Sequence, residues 1–234
     1  MRSIKVLAVA LVLLAMSATA QAIEVHGKLA LSPYAGIVIP FGDAAETEPP
    51  SDEEAGVTPI GGAKSGLGLG AALEYGLTEN VVVGGKFGYN KFGFDEAFLG
   101  DELPEGATID ANWTIIEFGA YVKLLMAAGA KTRPYLKAGV VAGKADLEGD
   151  ITQGDATATG KIDVANSLGL EAGVGVLHMF SEQIGGFIEA GATHLMTDGK
   201  DLEAGVDDVV EQGEVSGNFQ WIALRAGLTI FLSK

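Results

Sequence analysis

Residues 65–77 read SGLGLGAALEYGL, and this stretch constrains the fold more than any other in the chain. Taken at every second position it splits in two. Leu67, Leu69, Ala71, Leu73 and Tyr75 fall on one side, and Gly66, Gly68, Gly70, Ala72 and Glu74 on the other. A period of two marks a β-strand with unlike faces. The second face is not the Lys, Thr and Gln of a solvated sheet. It is nearly bare backbone with one carboxylate. Gly is a poor strand former on a face that meets water, which disfavours a secreted soluble barrel with its apolar face inside around a ligand.

The pattern recurs in eight segments, at residues 29–41, 65–77, 81–92, 113–124, 134–144, 167–180, 186–196 and 219–232. The sixth is the clearest: Leu168, Leu170, Ala172, Val174 and Val176 oppose Gly169, Glu171, Gly173 and Gly175. The connections alternate as well. Long ones, at about residues 42–63, 93–111, 145–160 and 197–217, follow the odd segments, and short turns such as GLTEN and SEQIG follow the even ones. The long connections hold 23 of the 31 acidic residues and one basic residue, Lys200. A soluble sandwich has no reason to sort its connections by parity, whereas a membrane-crossing barrel puts odd and even connections on opposite sides.

The predicted fold is therefore all-β, an eight-stranded antiparallel up-and-down transmembrane β-barrel. Its apolar face meets lipid and its Gly face lines a narrow lumen, which an eight-stranded barrel fills with side chains. Lipid tolerates no open sheet edge, so the sheet must close. Each segment has about the 9–11 residues a tilted strand needs to cross the hydrocarbon.

The same alternation sends eight ionisable residues inward: Glu74, Lys86, Glu117, Lys123, Lys137, Glu171, Glu189 and Arg225. Four acids and four bases make a neutral lumen, and buried charge is costly unless paired. A stacked salt-bridge network follows. It reads either as a permanent core of ion pairs or as a gate that opens when pairs exchange, and the permanent core is favoured.

The first 22 residues place Arg2 and Lys5 before an apolar run at 6–16 and end in Ala20-Gln21-Ala22, the layout of a cleaved signal peptide rather than a membrane anchor. The expected mature chain starts near Ile23. It loses two of 15 basic residues and none of 31 acidic ones, leaving a net charge of 13 minus 31, or −18. That charge excludes nucleic acid as a partner. No other window is apolar enough for a spanning helix, and the absence of Cys rules out disulfides.

No cofactor or metal site is expected. DLEGD at 146–150 spaces carboxylates at i, i+2 and i+4, but Ile151 and Thr157 stand where a helix-flanked calcium loop wants Gly and Glu. The long connections therefore read as solvated, with weak divalent binding at most. Catalysis is not expected either. His178 and His194 fall on the outer face near strand ends, neither has a Ser within two residues, and no Gly-x-Ser-x-Gly or phosphate-binding loop occurs.

PYAGIVIPFGD before a long loop, LEYGLTENVVVGGKFGY as strand–turn–strand and WIALRAGLTIF near the end resemble the small outer-membrane β-barrel family. This is the type of the membrane domain of outer membrane protein A, of outer membrane protein X and of opacity-like surface proteins. The resemblance covers the whole mature chain and is specific to architecture. It implies the outer membrane of a Gram-negative-type cell, termini in the periplasm, acidic loops outside, lipid and lipopolysaccharide as surroundings, and the barrel-assembly machinery as a partner. It also implies an inward Glu/Lys/Arg cluster of the kind described above. A monomer is expected. Phe231 is followed by Leu232, Ser233 and Lys234, so the aromatic end that the family uses for assembly is imperfect. No peptidoglycan-binding domain follows the barrel, so no cell-wall tether is implied. The expected role is structural or at the cell surface. The alternatives are a narrow porin or small apolar-solute transporter and, less favoured, a lipid-modifying enzyme.

Overall fold

The computed structural model describes residues 24–47, 57–102, 106–154, 156–206 and 209–232. The segment expected to be a signal peptide, residues 1–22, lies outside the described residues.

Among the described residues twelve strands form: β1 (Leu29–Phe41), β2 (Val57–Pro59), β3 (Ala63–Gly76), β4 (Val81–Phe94), β5 (Ala107–Leu125), β6 (Thr132–Gln153), β7 (Ala156–Val164), β8 (Ser167–Met179), β9 (Ile184–Leu195), β10 (Asp201–Val206), β11 (Val209–Ser216) and β12 (Phe219–Phe231). Eight of them close a ring in the order β1-β3-β4-β5-β6-β8-β9-β12, with β12 returning to β1 from Ala30↔Phe231 to Phe41↔Gln220. Every pairing around the ring is antiparallel. Each of these eight strands covers one of the eight alternating segments, to within one residue at its end.

The faces follow the alternation. Leu67, Leu69 and Leu73 on β3, Phe118 on β5, Leu168 and Leu170 on β8 and Leu224 on β12 point outward, with Leu67 70% exposed. An apolar face this broad on a closed ring is a lipid surface. Two of the short turns close by the same local device. Thr78 Oγ1 accepts from the backbone N–H groups of Asn80 and Val81 (3.2 and 3.0 Å), and Ser181 Oγ accepts from those of Gln183 and Ile184 (3.3 and 3.1 Å). Such side-chain turns satisfy donors that a tight reversal would leave bare. The start of β1 and the end of β12 lie at this turn end of the barrel.

Where the sequence reads as four long solvated connections, much of the chain is strand. β5 starts six residues before the expected segment at 113–124, and β6 runs nine residues past the one at 134–144. At the loop end β6 changes partner, from β8 (last pair Gly143↔Ser167) to β7 (first pair Asp146↔Asp163). The sheet then continues through β10 and β11 to β2, which pairs with β11 in parallel and leads directly into β3. β5, β6, β7, β10, β11 and β2 thus build an upper storey on the barrel. The cause is an alternation weaker than that of the spanning strands. Leu147 faces Ile162, Ile162 faces Ala204, and Leu202 faces Val164. These pairs bury one face, while the acids on the other face disguise the stretch as loop.

Because the outer face is solvated by hydrocarbon, Leu69→Arg is expected to cost the refolded barrel about 2–4 kcal/mol in a bilayer. Urea titration of the protein in lipid vesicles reads this directly, and no loss at Leu69 would contradict the lipid-facing assignment.

Candidate functional site

The lumen is filled in three layers, and the middle one is ionic. Glu74 on β3, Lys86 on β4, Glu117 and Lys123 on β5, Lys137 on β6, Glu171 on β8, Glu189 on β9 and Arg225 on β12 all point inward and are all buried. Six of them form a closed cycle of alternating sign. Lys86 meets Glu117 at 3.1 Å and Glu171 at 2.7 Å. Lys137 meets Glu171 at 3.7 Å and Glu189 at 2.5 Å. Arg225 closes the cycle, 3.5 Å from both Glu189 and Glu117. Every charge therefore has two opposite neighbours, the condition under which a low-dielectric interior tolerates it.

The remaining pair, Glu74 and Lys123, lies toward the turn end. Two tyrosines lock it to the ring. Tyr121 donates to Glu74 at 2.6 Å while its ring lies under Lys137 at 5.2 Å. Tyr135 donates to Glu189 at 3.0 Å while its ring lies under Lys123 at 4.7 Å. Each lysine thus sits over the tyrosine that serves the other lysine's carboxylate. Ser32 adds a 3.1 Å hydrogen bond to Glu74, and Asn90 a 3.3 Å one to Glu117.

The inner glycines make room for these rings. A Cβ on Gly84 would lie 2.6 Å from the Tyr121 ring, and one on Gly175 would lie 2.4 Å from that of Tyr135. In each case the tyrosine is the cross-strand neighbour, Gly84↔Tyr121 and Tyr135↔Gly175. The glycine face of the strands is the negative of the side chains that cross the lumen.

Apolar layers close both ends. At the loop end Phe219 packs on Phe92 (5.2 Å between centroids), Trp113 (5.5 Å) and Trp221 (6.0 Å), within a core that includes Val38, Ile115, Val141 and Leu195. At the turn end Val25, just before β1, joins Val82, Leu125, Leu177, Met179 and Phe231. Two interior cavities of about 20 Å³ each, enough for one water, lie in the lumen, one at the turn end beside Val25 and Phe231 and one within the ionic layer beside Lys86, Glu189 and Arg225. The sequence reading places the eight charged residues inward, where they are buried, and names neither apolar layer. Phe92, Trp113 and Phe219 share the inward parity but stand at the ends of their segments, and Trp221 falls on the inward face without showing from sequence that the other three meet it.

Outside the lumen, DLEGD does not converge. Asp146, Glu148 and Asp150 lie on one face of β6, about 7 Å apart per step of two residues. Asp146 is engaged by Lys144 at 2.9 Å, and Asp150 accepts from Thr159 at 2.7 Å. Asp163 meets Lys144 and Lys161, both at 3.0 Å. Burial opposes ionisation of Asp163, but hydrogen bonds from Asp146, Lys161 and Lys144 outweigh it and hold the carboxyl at about 2. Burial and the neighbouring Asp163 push Asp146 upward. The sequence reading did not bring together Glu24, His26 and Glu79, whose candidate ligand atoms lie within 4.8 Å of one another at the turn end. His178 bonds Thr132 (2.8 Å) and packs on Phe180, and among the described residues no carboxylate contacts it or His194.

Two outcomes are expected. Glu117→Ala leaves Lys86 and Arg225 short of a partner and costs about 3–5 kcal/mol. Combined with Lys86→Met it costs less than the sum of the single changes, with a coupling of about 0.5–3 kcal/mol in urea unfolding; strict additivity would break the ring as a unit. Asp163, whose folded value lies below the ordinary 3.8, stabilises the β6–β7 pair above that value and loses the contribution as pH falls through about 2. Side-chain carbon NMR should give that midpoint, and Lys144→Ala should raise it.

The sequence profile of the outer membrane protein beta-barrel domain family matches residues 7–222. Comparison with curated proteins finds no significant match. Among solved structures the chain is similar to a major outer membrane protein from Thermus thermophilus, at 15% identity over 87% of this chain and 99% of that one, with a TM-score of 0.54. It is also similar to the outer membrane protein OprG from Pseudomonas aeruginosa, at 12% identity over 89% and 99%, with a TM-score of 0.52. At these identities the likeness is one of fold. With the profile spanning nearly the whole barrel, the chain belongs to the outer membrane protein beta-barrel domain family.

Proposed function

We propose that this chain is a closed, non-conducting and non-catalytic barrel of a Gram-negative-type outer membrane, with a structural or cell-surface role. The observation that supports this reading best is the three-layered lumen. An ion entering from the loop end meets the Phe92–Trp113–Phe219–Trp221 layer, then the charge ring, then the turn-end apolar layer. A hydrated ion needs water along its whole path, and the two lumen cavities hold about one water each.

In this reading the termini and short turns face the periplasm and the upper storey stands outside the cell. The barrel acts as a monomer among outer-membrane lipid and lipopolysaccharide, inserted by the assembly machinery. The upper storey displays the acidic surface, including Asp146, Glu148, Asp150, Asp163 and Glu203. Divalent cations can bridge such carboxylates to anionic lipid headgroups. The two outer-face histidines, without a carboxylate neighbour among the described residues, support a non-catalytic role.

Single-channel recording of the refolded mature chain in a planar bilayer tests the reading. The native barrel should be silent, and so should the Glu171→Gln, Arg225→Ala double variant, because both apolar layers remain. Steady conductance from the native chain would overturn the closed barrel in favour of small-solute passage. Conductance from the double variant alone would place the whole barrier in the charges.

A further inference from the structure

The upper storey encloses a cavity of about 420 Å³ at the loop end. Phe94, Leu99, Ile109, Leu147, Ile151 and Ile162 supply its walls, from β4, the turn after it, β5, β6 and β7. All six are half-buried, so the space opens outward. Phe94, Leu147 and Ile162 also pack against the aromatic core that seals the lumen, which makes that core the floor. The cavity is thus a cup that ends on the seal, and whatever enters it is held and not passed on.

Size and chemistry narrow the occupant. Small-molecule sites are concave, mostly apolar and roughly 300–1,000 Å³ in volume. An apolar cavity of about 150 Å³ takes up benzene, so about 420 Å³ suits a hydrocarbon of roughly 15 carbon atoms. Among the described residues Lys161 is the one ionisable residue of the lining, and Asp163 already holds its ammonium at 3.0 Å. The outer face of the same strands bears Asp146, Glu148, Asp150, Asp163 and Glu203 against Lys144 and Lys161, five negative charges to two positive. That concentration of negative charge repels an anionic head group within a Debye length, about 8–10 Å at ordinary salt. A fatty-acid-like amphiphile is therefore disfavoured and an uncharged molecule favoured.

We infer that the upper storey is a binding cup for a small neutral hydrocarbon-like molecule, aliphatic or aromatic. Its selectivity comes from an apolar wall inside an acidic rim.

Gly160 gives the test. It lines the cavity, its φ is not positive, and a Cβ there would meet only the Gly149 carbonyl oxygen at 3.9 Å. Gly160→Phe therefore fills the cup without displacing backbone. Ala204→Phe, from the adjacent strand, is the second filling variant should the first not refold. Thr159→Phe places the same ring on the outer face as a control. The full mature chain in lipid nanodiscs is titrated with N-phenyl-1-naphthylamine, which is uncharged, and with 1-anilinonaphthalene-8-sulfonate, which adds a sulfonate to the same skeleton. Empty nanodiscs give the background, and quenching of Trp113 and Trp221 in the floor core reports occupancy.

The neutral probe should bind saturably above background. The sulfonate should bind at least about tenfold more weakly, and the gap should narrow at high salt. A filling variant should lose at least about tenfold in affinity for the neutral probe, while Thr159→Phe keeps it. Neutral-probe binding no greater than to empty nanodiscs, or unchanged in a refolded filling variant, would overturn the cup. Equal binding of both probes would overturn its selectivity for uncharged ligands.

Discussion

Six charges that each touch two of opposite sign organise this barrel. Glu117, Arg225, Glu189, Lys137, Glu171 and Lys86 come from β5, β12, β9, β6, β8 and β4, so the cycle ties six of the eight spanning strands across the lumen. Backbone pairing fixes only neighbouring strands. The ionic ring fixes strands on opposite walls, and it can do so only if the registers around the ring agree. A slip of one residue on any strand would turn its charge into lipid, where it is expensive. The ring therefore selects one register, whether or not it adds net stability over an apolar core.

The sequence solves the space problem with an unequal division of labour. Long side chains cross the lumen from one strand and glycine receives them on the next, as Gly84 receives Tyr121 and Gly175 receives Tyr135. The tyrosines offset the close approach twice, through a hydroxyl to a carboxylate and a ring face to a lysine. The aromatic layer above and the mixed apolar layer below keep bulk water from the charges, and a drier interior strengthens every pair within it.

At the loop end the balance reverses. The lumen is neutral, but the upper storey is acidic outside and apolar inside, so the same sheet presents two chemistries at once. β6 makes this possible by leaving β8 at Ser167 and taking β7 from Asp163, which opens a second sheet on the rim of the first. The Lys144, Lys161, Asp146 and Asp163 cluster sits at that branch point and pairs charges where three strands meet.

Alternation alone determined which residues face lipid and which face the lumen, because a strand has only two sides. Parity of the connections separated the two ends of the barrel. Those two facts placed Glu74, Lys86, Glu117, Lys123, Lys137, Glu171, Glu189 and Arg225 inside, but not beside one another. Which acid meets which base depends on the registers of eight pairings and the tilt of the strands, quantities no single strand contains. The same holds for the upper storey. β7, β10 and β11 are short and only weakly alternating, and β2 is three residues long, so each reads as loop until its neighbours pair with it. Tertiary structure decided the closed cycle, the aromatic seal and the apolar cup because each is made of side chains from strands far apart in sequence, and only closure of the sheet brings them within contact.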